Sequence, residues 1–263
     1  MKNKQQPPRS TSWGRVAGWY EQNVEKDESY HATLLLPNLL RLISVKKGER
    51  MVELGCGSGF FCERFAAFGA EMVGVDLSKE LIAIAQQRAQ KQNLTIRYHA
   101  GSAEKLGMIA EKSIDTTVIV LAIQNMRDIR AIFAECSRVL KKNGRLVLVM
   151  NHPAFRIPKY SSWGWDAALQ YRRIDRYLSE ISIPIQMHPG KKSHEITTSF
   201  HRSLQAYAQS LREAGFGIVN LEEWISNKKS TSGPRAKIEN VARGEFPLFL
   251  YLEAKPLTLA SKP

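Results

Sequence analysis

Long apolar runs are missing from this chain. Nowhere do its 263 residues hold the ~18–20 consecutive apolar positions that a membrane-spanning helix needs. Cysteine is scarce as well. Cys56, Cys62 and Cys136 are odd in number and carry neither CxxC nor Cys/His spacing. That argues against a disulfide framework, gives no reason to expect a metal site, and fits a reducing cytoplasm. There is no internal repeat. The polar, proline-broken opening MKNKQQPPRS lacks the features of a signal peptide or an amphipathic transit helix. Residues 1–12 and 257–263 are expected to be tails, the first of them disordered.

What remains is an ordinary water-soluble composition, 43% apolar and 24% charged, long enough for one large α/β domain or two small ones. The net charge of +13 admits an anionic partner such as nucleic acid. The basic pairs Lys46-Lys47, Arg172-Arg173, Lys191-Lys192 and Lys228-Lys229 are scattered among acids, however, so a merely basic surface explains the charge equally.

Residues 14–48 read as helical, with Pro37 expected to break or kink the stretch LLLPNLLRLI. From Met51 strand and helix alternate. MVEL, EMVGVD, LTIRYH, IDTTVIVLAI and RLVLVM are strand candidates. Between them lie a helix with Gly69 as its C-terminal cap, a helix capped by Ser78, and a helix burying Ile129, Ile132, Phe133, Cys136 and Leu140. KNG is expected to turn the chain into the fifth strand. The period then breaks for about fifty residues rich in proline, tryptophan and polar turns, until the helix SLQAYAQSLREAG. GIVNLEEWI and PLFLYLEAK close the chain as two strands with no long helix between them. Strand-helix alternation predicts a doubly wound α/β sheet, and the hairpin-like ending sets it apart from a dinucleotide fold.

The stretch VELGCGSGFF holds the chemistry. Gly55, Gly57 and Gly59 follow a strand and open a helix, where backbone can reach positive φ and a ligand can approach it closely. The next strand ends at Asp76, whose carboxylate can accept both hydroxyls of a ribose. The spacing is GxGxG, which is not the nicotinamide fingerprint GxGxxG.

VELGCGSG, GVDLS, GSAEKL, DTTVIVLAIQNM and RVLKKNGRLVLV together resemble the class I S-adenosylmethionine-dependent methyltransferases, over roughly residues 45–255. The resemblance implies a Rossmann-like methyltransferase fold: a mostly parallel seven-stranded sheet with an antiparallel last strand and helices on both faces. It implies S-adenosylmethionine (SAM) as cofactor, with Gly55, Cys56, Gly57 and Gly59 against its methionyl and ribose parts, Asp76 on the ribose and Leu77 along the adenine. Ser102, Ala103 and Glu104 would meet the adenine edge. Many members carry an aspartate at the position of Ser102, so its individual role is less defined. Leu121 and Ala122 would lie beside the sulfonium, and Glu53 would either meet the cofactor's ammonium or fix the loop. The corresponding division is a helical cap at 13–48, a SAM-binding core at 49–150, a substrate lid at 151–202, and the last helix and strands at 203–256.

For the methyl acceptor, the carboxyl ends of the fourth and fifth strands offer Gln124, Asn125, Asn151 and His152. NHPAFRIPKYSSWGWD then brings Phe155, Trp163 and Trp165 as walls, Arg156 for an anionic group and His152 as a candidate base. The alternative reading leaves the tryptophans covering a sheet edge and His152 closing a turn. His201 with Arg202 is a second pair, and Tyr20 and Tyr30-His31 are candidates to fold over the cofactor. AIQNM stands where base- and glutamine-methylating enzymes carry an Asn-Pro-Pro-Tyr-like motif, and no Pro-Cys pair serves cytosine C5 chemistry. The expected partner is therefore a small molecule, with no membrane and a monomer or homodimer. An RNA or protein acceptor, or SAM binding without catalysis, remains as an alternative.

Overall fold

The computed structural model describes residues 13–18, 28–166, 169–187 and 195–257. The expected tail at 1–12, all but the first residue of the other, and Tyr20 lie outside the described residues. A 3-10 turn spans Gly14–Val16, and a π-helical turn, His31–Leu35, runs directly into α1 (Leu36–Ile43). Pro37 stands in the first positions of α1 and does not break it. The π-turn runs unbroken into α1, with Leu36 N donating to His31 O, so the missing N–H of Pro37 falls inside a continuing helix beside the wider π-helical bonding. The irregularity falls one turn earlier, in the π-turn.

The chain then winds β1 (Arg50–Leu54), α2 (Phe60–Ala67), β2 (Glu71–Asp76), α3 (Lys79–Lys91), β3 (Arg97–Ala100), β4 (Ile114–Val120), α4 (Ile129–Val139) and β5 (Leu140–Asn151). The expected caps are in place. Ser78 Oγ accepts from Leu81 N at 3.2 Å, and Gly69 takes φ +93° just past the end of α2. Two antiparallel hairpins follow, β6 (Ser161–Trp165) with β7 (Gln170–Ile174) and β8 (Ile181–Gln186) with β9 (Ile196–His201). The chain closes with α5 (Leu204–Glu213), β10 (Phe216–Trp224), α6 (Ala236–Glu245) and β11 (Phe249–Pro256).

Seven strands form one sheet in the order β10-β11-β5-β4-β1-β2-β3. β1 to β5 pair in parallel, whereas β11 runs antiparallel to both β5 and β10. This is the mostly parallel sheet with an antiparallel last strand that the resemblance implied. Both faces are covered, so the central strands are largely apolar, with Glu53, Thr116 and Thr117 buried among them. Leu146 and Leu148 point into the layer that contains α4 and α5, and Val147 and Val149 into the layer with α1, α2 and α3. The single-residue offset between those pairs is the period-2 pleat of a strand buried on both sides.

Three expectations change. KNG does not precede the fifth strand but lies within it, because Leu140 already pairs with Ile114 and a register shift before Thr116 absorbs the extra residues. The fifty residues after β5 contain two hairpins. A helix, α6, joins β10 to β11; only Ala242 is buried in it, so no apolar stripe announced it.

Candidate active site

Why the loop after β1 needs its glycines is visible in its backbone. Gly55, Gly57 and Gly59 all take positive φ, +74°, +54° and +88°. Gly55 N and Cys56 N both donate to Val75 O, tying the loop to the end of β2. A Cβ on Gly55 would lie 2.5 Å from Ala122 Cβ, and one on Gly59 would lie 2.4 Å from Tyr98 Oη. The loop is thus wedged between the end of β4 and a tyrosine from β3.

Asp76 latches the same loop. Its carboxylate accepts from Gly57 N at 2.9 Å and from Ser78 N at 2.8 Å. Burial pushes its pKa up, and those backbone donors pull part of the rise back. Leu77 beside it is 64% exposed, an apolar surface free to meet a flat ring. Gly101 N donates to Asp76 O, which seats the segment after β3 against the end of β2. In that segment Ala103 packs on the core, and Ser102 Oγ accepts from Glu104 N at 3.2 Å. The Ser102 oxygen keeps a second lone pair for another donor.

Glu53 is fully buried under the loop, where desolvation pushes its carboxyl up to about 8 and Cys62 Sγ donates to it at 3.0 Å. Burial pushes the Cys56 thiol to about 11, so it is no nucleophile at neutral pH. At the end of β4, Leu121 adopts φ +51°, an unfavourable conformation for a leucine, and its N–H donates to Val149 O at 2.7 Å. Gln124 Nε2 donates to Leu121 O at 2.6 Å while its Oε1, buried, has no partner. Ser58 Oγ is buried without a partner in the glycine loop.

The residues expected around the acceptor divide. His152 is buried, its Nδ1 accepts from Ala154 N at 3.2 Å, and its Nε2 lies 2.7 Å from Glu223 Oε1. With Nδ1 accepting, the proton sits on Nε2 and is donated to Glu223. Burial lowers the His152 pKa, and Glu223 offsets only part of that. Neither ring nitrogen is left with a lone pair for a substrate proton. His201 is tied to Tyr177 O at 2.8 Å, and Arg202 Nη2 caps Met126 O at 3.0 Å and also bonds Arg127 O. Asn125 Nδ2 donates to Thr198 O at 3.1 Å, which docks the β8–β9 hairpin over the turn Ile123–Asn125.

Phe155 packs on the His152 ring and, edge-on, on Phe246, and Trp163 meets the same Phe246 ring edge-on at 5.4 Å. Trp165 lies under Arg235 at 4.8 Å. The β6–β7 hairpin therefore packs against the end of α6. Asn151, Arg156, Ile157, Pro158, Ser161 and Arg172 line a cleft of about 230 Å³ there. From the N-terminal cap, His31 packs on Phe60 and Phe61, the first residues of α2 after Gly59, and burial drives its pKa to about 4. Tyr30 packs on Phe249.

Sequence reasoning missed Arg172, Glu223, Tyr98 and Phe246. Arg172 was visible only as half of a basic pair; strand alternation in β7 sends it to the opposite face from Arg173. Glu223 lies in β10 and Phe246 just after α6, and no local pattern links them to His152 or Trp163.

Residues 52–148 match the methyltransferase domain family. A ubiquinone biosynthesis O-methyltransferase from Rhodopseudomonas palustris is 35% identical over 101 residues, 38% of this chain and 39% of that protein. The chain thus aligns with about two-fifths of the length of the curated relatives it matches. A crystal structure of an S-adenosylmethionine-dependent methyltransferase from Mesorhizobium loti superposes with a TM-score of 0.67 at 27% identity, covering 87% of this chain and 98% of the other. One from Clostridium acetobutylicum, at 16% identity, shares the fold with a TM-score of 0.62 over 94% of this chain and all of the other. Among the described residues no helix is long and apolar enough to cross a membrane, and no cluster of ligating side chains could hold a metal.

Proposed function

Because residues 52–148 form a class I S-adenosylmethionine-dependent methyltransferase core, we propose that the chain transfers a methyl group from SAM to a small-molecule acceptor. The observation that carries this reading is the glycine loop, held open by three left-handed residues and latched by a carboxylate at the end of the adjacent strand. The residues present fit the cofactor. Asp76 faces the loop with lone pairs beyond its two backbone donors, Leu77 offers exposed apolar surface, and Ser58 Oγ and Gln124 Oε1 are buried polar atoms still in want of partners.

Gly55, Cys56, Gly57 and Gly59 would hold the methionyl and ribose parts, Asp76 the ribose, and Leu77, Ser102, Ala103 and Glu104 the adenine. Leu121 and Ala122 would border the sulfonium, and Glu53, buried beneath the loop, supports it from below. When bound, the cofactor supplies an electrophilic methyl carbon that a nucleophile displaces from sulfur in one step. The chain's own contribution is alignment and exclusion of water, which suffice when the acceptor is already nucleophilic. Gln124, Asn151, Phe155, Arg156 and Trp163 are the proposed acceptor surface. In this geometry His152 holds the turn that carries Phe155 and Arg156, and Asn125 and His201 hold the second hairpin over the site.

Support for a small acceptor is the cleft of about 230 Å³ beside the β6–β7 hairpin, a volume that suits a small molecule or one group of it. The Rhodopseudomonas palustris relative, a ubiquinone biosynthesis O-methyltransferase by name, also points toward a small-molecule acceptor. The test is calorimetric titration with SAM, then with S-adenosylhomocysteine, and with NAD as control. Both sulfur ligands are expected to bind and NAD is not; absence of binding by either sulfur ligand would remove the cofactor assignment.

A further inference from the structure

Two guanidinium groups line the cleft beside the lid, and no carboxylate does. Arg172 is held rigidly. Its Nε donates to Phe155 O at 2.8 Å, its Nη2 to Ser161 Oγ at 2.7 Å, and its plane lies 5.1 Å over the Trp163 ring. Arg156 is the opposite case: among the described residues no side chain or carbonyl bonds its guanidinium. Desolvation lowers the pKa of both, and the charge of Arg156 lowers that of Arg172 further; among the described residues lining the cleft no carboxylate offsets the pair. Arg156 is exposed and Arg172 half-buried, so water screens their mutual repulsion but does not cancel it. An oxyanion seated between them would neutralise both and accept the two-pronged bonds that guanidinium groups make best.

The cleft also stands in the right place. Asn151, on its wall, is the last residue of β5, and β5 pairs with β4 up to Val120 opposite Val149. The strand ends carrying Ala122 and Asn151 are therefore neighbours, about 5 Å apart at strand spacing. A small molecule can reach from one to the other.

We infer that Arg156 and Arg172 form an oxyanion seat, and that the methyl acceptor is a small molecule carrying a carboxylate or phosphate group bound there. The inference rests on the methyltransferase reading for the word acceptor, and on the cleft alone for the seat. Arg172 positions and Arg156 closes, since among the described residues Arg172 is hydrogen-bonded and the Arg156 guanidinium is not.

The seat can be probed without knowing the acceptor. The full chain is titrated with benzoate and with inorganic phosphate, and in parallel with SAM, as wild type and as Arg156→Gln. Wild type is expected to bind one of the two anions, with benzoate marking a carboxylate acceptor and phosphate a phosphorylated one. Arg156→Gln should weaken that binding by about tenfold or more, the scale of losing a charged hydrogen bond. Its SAM affinity and thermal unfolding should match wild type, because among the described residues nothing bonds the Arg156 side chain. Equal anion affinity in both proteins overturns the seat. So does a parallel loss of SAM affinity, which would assign the arginine to the cofactor's own carboxylate. Anion binding without any SAM binding would leave the seat standing and sink the methyltransferase reading.

Discussion

Replacing Gly59 by alanine tests how the cofactor loop is held. The new Cβ would sit 2.4 Å from Tyr98 Oη and 3.1 Å from both Tyr98 Cζ and Ala85 Cβ, at a φ of +88°. Two separate penalties follow. Forcing an L-residue into the left-handed region costs about 1–2 kcal/mol. Overpacking against a buried ring costs about 1–3 kcal/mol more. Only the second depends on Tyr98. Its hydroxyl is buried and without a partner, so Tyr98→Phe alone should be near neutral or mildly stabilising. In the Tyr98→Phe background the 2.4 Å contact disappears and the 3.1 Å contacts can relax. Gly59→Ala should then cost only the backbone part, about 1–2 kcal/mol, leaving a coupling of about 1–3 kcal/mol between the two sites. Urea unfolding of the four proteins of the cycle measures it. Should Gly59→Ala cost the same in both backgrounds, the wedging of the loop by Tyr98 is wrong.

Asp76→Asn keeps the side chain's size but sets an amide N–H₂ against a backbone N–H, so SAM should bind about 10–100-fold more weakly. Calorimetry reads this directly, and unchanged affinity would remove Asp76 from the ribose. For His31 the folded pKa, about 4, lies below the ordinary 6.5. The unfolded chain therefore binds more protons between those values, and stability is complete above about pH 6.5 and lost as pH falls toward 4. The loss should amount to ~1–3 kcal/mol, and His31→Phe should flatten that part of the pH profile in calorimetric melts. A profile identical to wild type would mean that the ring is hydrated in its aromatic niche.

The core was legible because its signals are local. A continuous apolar run such as RLVLVM is long enough to announce a strand buried on both faces, and glycine spacing followed by Asp76 marks a ligand loop wherever the sheet places it. Ser78 and Gly69 likewise act on backbone within a few residues of themselves. The lid carries no such signal. Its strands are short and half-buried, Trp163 packs on Phe246 and Arg172, and His152 bonds Glu223. Such pairings are fixed by three-dimensional docking across tens of residues, so the sequence names the participants without their partners. His152 shows the consequence: a histidine after a strand end suggests a base, and only its two engaged nitrogens reveal a turn-holding role.

The docking of Phe246 against Phe155 and Trp163 also bears on how acceptor preference can change over evolutionary time. The proposed lid would be one contiguous insertion, entering at the end of β5 and leaving before α5, and every residue proposed for the donor precedes it. Exchange of that block between related chains could retune the acceptor without disturbing the glycine loop. A graft confined to 151–202 would nevertheless lose its footing, since the aromatic contact that seats it belongs to the segment after α6. The heritable unit of specificity in this architecture is therefore split, a long cassette and a short distant anchor that must travel together.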